Sequence, residues 1–177
     1  MSRPEEFVAE CACGRVAFAA RGKPMIVVAC YCDDCQAAAQ HVESLPGGQS
    51  GMRSDGGTVS VLYPKREVRC VRGVELLREH KLTPASVTTR LITGCCACSM
   101  SARFSNWFPH APLRTFAAAA EPLRPKICIF TKHAPVPDAI VHTVPRYQKI
   151  SPGLALQMAA AKASELLLSS SMRMDWI

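Results

Sequence analysis

The sequence contains no run of about eighteen apolar residues free of charge, which argues against a membrane-spanning helix. Its first residues, MSRPEEFVAE, lack the apolar h-region of a secretory signal, so the expected compartment is cytoplasmic, where thiols stay reduced. Aromatic residues make up only 6% of the chain, and neither an aromatic-rich ribonucleoprotein motif nor a recognition-helix pattern accompanies its +7 charge. That combination argues against nucleic acid as a partner. No internal repeat is present, which excludes a solenoid. His41, His80, His110, His133 and His142 are dispersed and lack zincin spacing, so each reads as an ordinary surface or core histidine.

What remains is a chain of 177 residues, 49% apolar and 20% charged, which suits a single globular domain. The densest basic group, Lys65, Arg66, Arg69 and Arg72, alternates with apolar residues as the solvated face of a strand would. Short apolar or alternating runs recur along the first two-thirds: RVAFAARG, PMIVVAC, TVSVLY, EVRCVRG, VELLREHKL, SVTTRLITG and KICIF. Their spacing, with Gly and Pro between, predicts antiparallel sheets rather than βαβ units. RGKP reads as a turn between the first two runs, and LPGGQSGMRSDGG as a loop.

The tail differs. Ser151 is placed to cap a helix with Pro152 in its first turn, and Leu156, Ala159, Ala160, Ala163, Leu166 and Leu167 recur at helical spacing. The expected organisation is a β domain over 1–150 and a helical extension over 151–177 packed on it through that face. A helix that paired two copies into a homodimer is the second reading.

Cysteine is the abundant reactive residue, with ten in the chain. Cys70 and Cys128 stand alone within strands and read as small core or strand residues. The others cluster: Cys11 and Cys13 in ECACGR, Cys30, Cys32 and Cys35 in CYCDDC, and Cys95, Cys96 and Cys98 in GCCACS. Thiolates a few residues apart on a turn can converge on one ion, and clustering without a signal peptide favours metal over disulfides. The count suggests two zinc ions. The C-x-C of Cys11 and Cys13 with the C-x-x-C of Cys95 and Cys98 closes a four-thiolate structural site, while Cys30, Cys32 and Cys35 leave a fourth position open for chemistry. CCAC also admits a second register, with Cys96 replacing a neighbour. Asp33 and Asp34 read as solvated turn residues or partners for loop amides before proton relays.

The order C-x-C-G, C-x-C-x-x-C, C-x-x-C over residues 7–150 resembles the glutathione-dependent formaldehyde-activating (GFA) family, which includes centromere protein V. The resemblance implies a mainly β fold, a β-tent of antiparallel sheets with zinc-bound cysteine loops, and a zinc-dependent carbon-sulfur lyase. Its named reaction adds glutathione to formaldehyde to give S-hydroxymethylglutathione. It implies Cys11, Cys13, Cys95 and Cys98 as structural ligands and Cys30, Cys32 and Cys35 as catalytic ones. A small thiol such as glutathione and an aldehyde would be the partners. Tyr31, Gln36 and Ser99 depart from the residues common in that family. Two other readings are a non-catalytic zinc-binding module contacting nucleic acid or protein, and a redox or metal-handling protein.

Overall fold

A computed structural model describes residues 6–104, 110–116, 122–140 and 142–168. The chain is mainly β. Among the described residues ten strands form two sheets: β1 (Glu6–Glu10), β2 (Ala17–Arg21), β3 (Ile26–Cys30), β4 (Thr58–Pro64), β5 (Val68–Arg72), β6 (Leu77–His80), β7 (Thr89–Thr93), β8 (Ser99–Arg103), β9 (His110–Leu113) and β10 (Ile127–Ile129). Helix α1 (Asp33–Glu43) follows β3, and α2 (Pro152–Leu168) ends the described chain.

The smaller sheet has the order β1-β2-β5 and the larger β10-β3-β4-β9-β8-β7-β6, which leaves it open rather than closed into a barrel. Pairing is antiparallel as expected, except that β10 lies parallel to β3. RGKP does not close a hairpin, because β2 and β3 belong to different sheets. The turn carries the chain from one layer to the other.

The sheets meet face to face through Ala9, Val16, Phe18 and Ala20 on one side and Val61, Leu91, Met100 and Leu113 on the other. Met100 and Leu113 are fully buried, so truncating either to Ala would cost about 2–5 kcal/mol. On the far face of the larger sheet, Val28, Leu62, Ile127 and Ile129 pack with Leu154 of α2.

Helix α2 starts as read, with the Leu154 amide donating to Ser151 Oγ at 3.1 Å. Its packing face differs from the expectation. Leu154 is buried while Leu156 and Leu166 are 72% and 63% exposed. The helix carries apolar residues on several faces. The gap beside β3 and β10 selects Leu154 and Met158, four positions apart, and turns the expected face outward. The side chain of Leu167 lies outside the described residues. The loop over 45–57 is fastened to the sheet, with Gln49 bridging Cys98, Met52 bridging Thr58, and Ser50 and Asp55 buried.

Candidate functional site

The first metal-ligand cluster forms where two tight turns abut. After β1 the chain reverses over Cys11 to Val16: the Gly14 amide donates to the Cys11 carbonyl at 3.0 Å and the Cys11 amide to the Val16 carbonyl at 3.1 Å. Gly14 adopts φ +72°, a left-handed conformation suited to glycine. The second turn joins β7 to β8, closed by the Ala97 amide on the Thr93 carbonyl at 2.9 Å. Ala97 takes φ 47° there, unusual for a residue with a Cβ.

Together the turns gather five sulfurs. Separations are 3.6 Å for Cys11–Cys13, 4.0 Å for Cys11–Cys95, 3.4 Å for Cys13–Cys95, 3.8 Å for Cys95–Cys96 and 3.5 Å for Cys96–Cys98. Four thiolates about 2.3 Å from one zinc would stand about 3.8 Å apart, so this donor set fits a tetrahedral ion, whereas a disulfide needs about 2.05 Å. The quartet whose sulfurs all lie within 4.8 Å of one another is Cys11, Cys13, Cys95 and Cys96. Cys98 joins through Cys96. Backbone amides of Val16 and Ala12 donate to the Cys11 and Cys98 sulfurs at 3.3 and 3.4 Å, bonds that favour thiolates. Burial, then neighbouring thiols, pushes Cys95 up to about 12, and burial together with Cys96 does the same for Cys98. At Cys96 burial also pushes upward, but hydrogen bonds from Thr93 and Cys13 outweigh it and hold the thiol down to about 6.

The second cluster is local. Strand β3 delivers Cys30, Cys32 caps α1, and Cys35 lies in its first turn, with the Cys35 amide on the Cys32 carbonyl at 3.0 Å. The three sulfurs lie within 4.8 Å of one another, with Cys30 and Cys32 3.5 Å apart. Hydrogen bonds from Cys30 and Cys32, then the charges of Arg114 and Arg90, hold Cys35 well below the ordinary thiol value. Cys30 is pushed well above it by hydrogen bonds with Cys32 and Cys35 and by burial. Gln36 clamps this loop, its Nε2 donating to the carbonyls of Tyr31 at 2.7 Å and His133 at 2.8 Å. Tyr31 points away from the sulfurs, fully buried, with its hydroxyl donating to Asp55 Oδ2 at 3.1 Å. Gly57 makes room for that ring, since a Cβ there would sit 2.7 Å from it.

A cavity of about 340 Å³ opens beside this trio. Its wall is mostly apolar, including Val28, Leu62, Ile129 and Leu154, but two arginines, one on β7 and one just after β9, reach it. Arg90 on β7 is 7% exposed; its Nη2 donates to the Asp34 carbonyl at 2.8 Å and its Nη1 has no partner among the described residues. Arg114, just after β9, donates from Nη1 to the Ser99 carbonyl and hydroxyl, both at 3.2 Å, while its sealed Nε has none. The buried Thr58 Oγ1 is likewise unpartnered.

All ten cysteines are free thiols, and the three sequence clusters become two spatial ones. Cys128 is fully buried and Cys70 sits on β5, as expected of core and strand residues. Asp33 pairs with His133 at 2.9 Å and stays exposed, and Asp34 reaches the cavity rim. Of the basic strand group, Arg66 pairs with Glu67, Arg69 with Glu6 and Arg72 with Glu10. His41 and His80, read as unrelated, stack at 3.7 Å between α1 and β6; the His110 side chain lies outside the described residues. Arg90, Arg114 and Thr58 escaped the sequence reading. Thr58 and Arg90 lie in ordinary strand patterns and Arg114 in a segment with no strand signal, and only the fold brings them to the trio.

Among the described residues no helix is long and apolar enough to cross a membrane. No curated protein gives a significant match to the chain. The crystal structure of a Rhodobacter sphaeroides protein, a structural genomics target, aligns with 79% of this chain and 99% of its own at 14% identity and a TM-score of 0.46. The model of the family described as glutathione-dependent formaldehyde-activating enzyme matches residues 6–46, so the chain is similar to that family over the segment holding Cys11, Cys13, Cys30, Cys32 and Cys35.

Proposed function

We propose that the protein is a zinc-dependent carbon-sulfur lyase of the GFA type, acting on a thiol-aldehyde adduct such as S-hydroxymethylglutathione. The observation that carries this reading is a trio of thiols converging at the wall of a cavity large enough for a small molecule. Cys11, Cys13 and Cys95, with Cys96 or Cys98, would hold the structural zinc, and Cys30, Cys32 and Cys35 would hold the other. When bound at the trio, zinc supplies a Lewis acid that lowers the pKa of a thiol or polarises an aldehyde oxygen.

The chain's own groups do the rest. Arg90 and Arg114 place positive charge beside the trio and favour the anionic form of an entering thiol. The apolar wall excludes water and strengthens that attraction. In the forward direction the sulfur-carbon bond forms as the carbonyl π bond opens, and the proton lost by the thiol ends on the new hydroxyl. The reverse step cleaves the carbon-sulfur bond and returns the aldehyde. Arg69 and Arg72 on β5, and Arg66 before it, each pair with a carboxylate, which weakens the alternative of a module contacting nucleic acid. The reading places the protein in the cytoplasm.

An assay following free formaldehyde with glutathione, with and without the zinc-loaded protein, tests the reaction. The expected result is loss of formaldehyde faster than the uncatalysed rate, and Cys32→Ala reduced to that rate. An unaccelerated reaction with intact zinc content would reject this substrate pair.

A further inference from the structure

Three residues that line the cavity beside the trio each carry a buried polar atom that the fold itself does not satisfy. Arg90 Nη1, Arg114 Nε and Thr58 Oγ1 are buried without a hydrogen-bond partner among the described residues, and all three residues line that one cavity. Leaving a buried guanidinium donor unpaired is costly, and the two arginines come from different strands held by separate anchors, the Asp34 and Ser99 carbonyls. Arg114 is held further by the hydroxyl of Ser99. The two charges also act on Cys35, but that leaves Arg90 Nη1 and Arg114 Nε still without a hydrogen-bond acceptor among the described residues.

We propose that Arg90, Arg114 and Thr58 form a carboxylate subsite, and that the ligand of this cavity is an acid with an apolar body. A planar carboxylate offers two acceptor oxygens to the guanidinium donors and can take the Thr58 hydroxyl as well. The rest of the ligand meets Val28, Leu62, Ile129 and Leu154, which provide contact area and no charge. A cavity of about 340 Å³ accommodates a body the size of a phenyl ring with a short acid arm. The carboxylate of Asp34 lies exposed at the rim, so it does not neutralise the sealed guanidinium atoms. Three thiolates with a divalent cation would carry one negative charge against the two arginines, leaving one positive charge for an entering anion. That this acid belongs to the thiol substrate rests on the function proposed above, whereas the subsite itself does not.

The test uses the zinc-loaded full-length protein and phenylpropionate, with phenylpropionamide as its neutral isostere, measured by calorimetry. The acid should bind the wild type about 10-fold or more tightly than the amide, since a hydrogen bond to a charged group is worth that much. Arg90→Gln and Arg114→Gln should each erase the preference, and Arg114→Lys should restore part of it. Equal affinity for acid and amide, or no binding of the acid, in the wild type would overturn the subsite, and that comparison needs no variant. Phenylethanethiol added to the cobalt-substituted protein separates the two readings. A changed sulfur-to-metal absorption with no acid preference removes the subsite and keeps the thiol site. An acid preference with an unchanged spectrum does the reverse.

Discussion

The two cysteine clusters use the same side chain in opposite ways. Cys13 and Cys95 meet across 82 positions of sequence, so their cluster ties the end of β1 to the turn between β7 and β8. Cys30 and Cys32 are two positions apart at one strand-helix junction, where the backbone alone would bring them near. The first cluster has a surplus of sulfur, five atoms for a four-coordinate ion. The second has three sulfurs and a cavity on its free side. A long-range cluster with ligands to spare is suited to holding the fold, and a local one that stops at three is suited to holding a substrate.

The largest effect separating them is on folding. A structural zinc contributes about 10–16 kcal/mol in small zinc peptides, comparable to or above the roughly 5–15 kcal/mol that stabilises a domain. Cys11→Ser should therefore leave little soluble folded protein, while Cys32→Ser should melt cooperatively and lose one zinc of two. Thermal melts with elemental analysis check this. Equal collapse of both variants would show that the trio also holds the fold.

That division was partly legible in the sequence because cysteine spacing on turns is a local property. ECACGR, CYCDDC and GCCACS announce their ligands without any tertiary information. Most strand runs were legible for the same reason, as alternation or apolar continuity in segments such as TVSVLY. β1, β8 and β9 were not, since EFVAE, SMSAR and HAPL are short, and SMSAR is buried through small and polar residues. Helix α1 was also missed, although DDCQAAAQHVE places two acids in its first turn. The arginines at the trio depend on which strands become neighbours, and no spacing in the chain encodes that. The packed face of α2 depends on the hollow left by Val28, Leu62 and Ile129.

The surplus sulfur leads to a smaller effect. Cys96 completes the close quartet, and Cys98, 3.5 Å from it, stands ready to replace it as the fourth ligand. Cys96→Ser and Cys98→Ser should each keep two zincs and melt within a few degrees of the wild type, a shift of about 1 kcal/mol or less, whereas the double variant should behave like Cys11→Ser. Loss of zinc from one single variant alone would identify that residue as the sole fourth ligand.

The smallest effect concerns the helix that carries Cys35. His80 stacks on His41 of α1, and burial, then the charges of His41 and Arg90, lower its pKa from the ordinary value. The unfolded chain thus takes up a proton that the folded one resists. The resulting stability is complete above about pH 6.5 and is lost as pH falls below it. His80→Gln should melt with a shallower fall between neutral and mildly acidic pH than the wild type. Parallel curves would show that the stack does not fasten α1.

The difference in role between the clusters is tested most directly by adding a small thiol to the protein with cobalt in both sites and recording the sulfur-to-metal absorption. The account predicts a changed spectrum in the wild type and no thiol response in Cys32→Ala, which retains the cobalt of the five-sulfur cluster. An undiminished thiol response in Cys32→Ala, or none in the wild type, would contradict it.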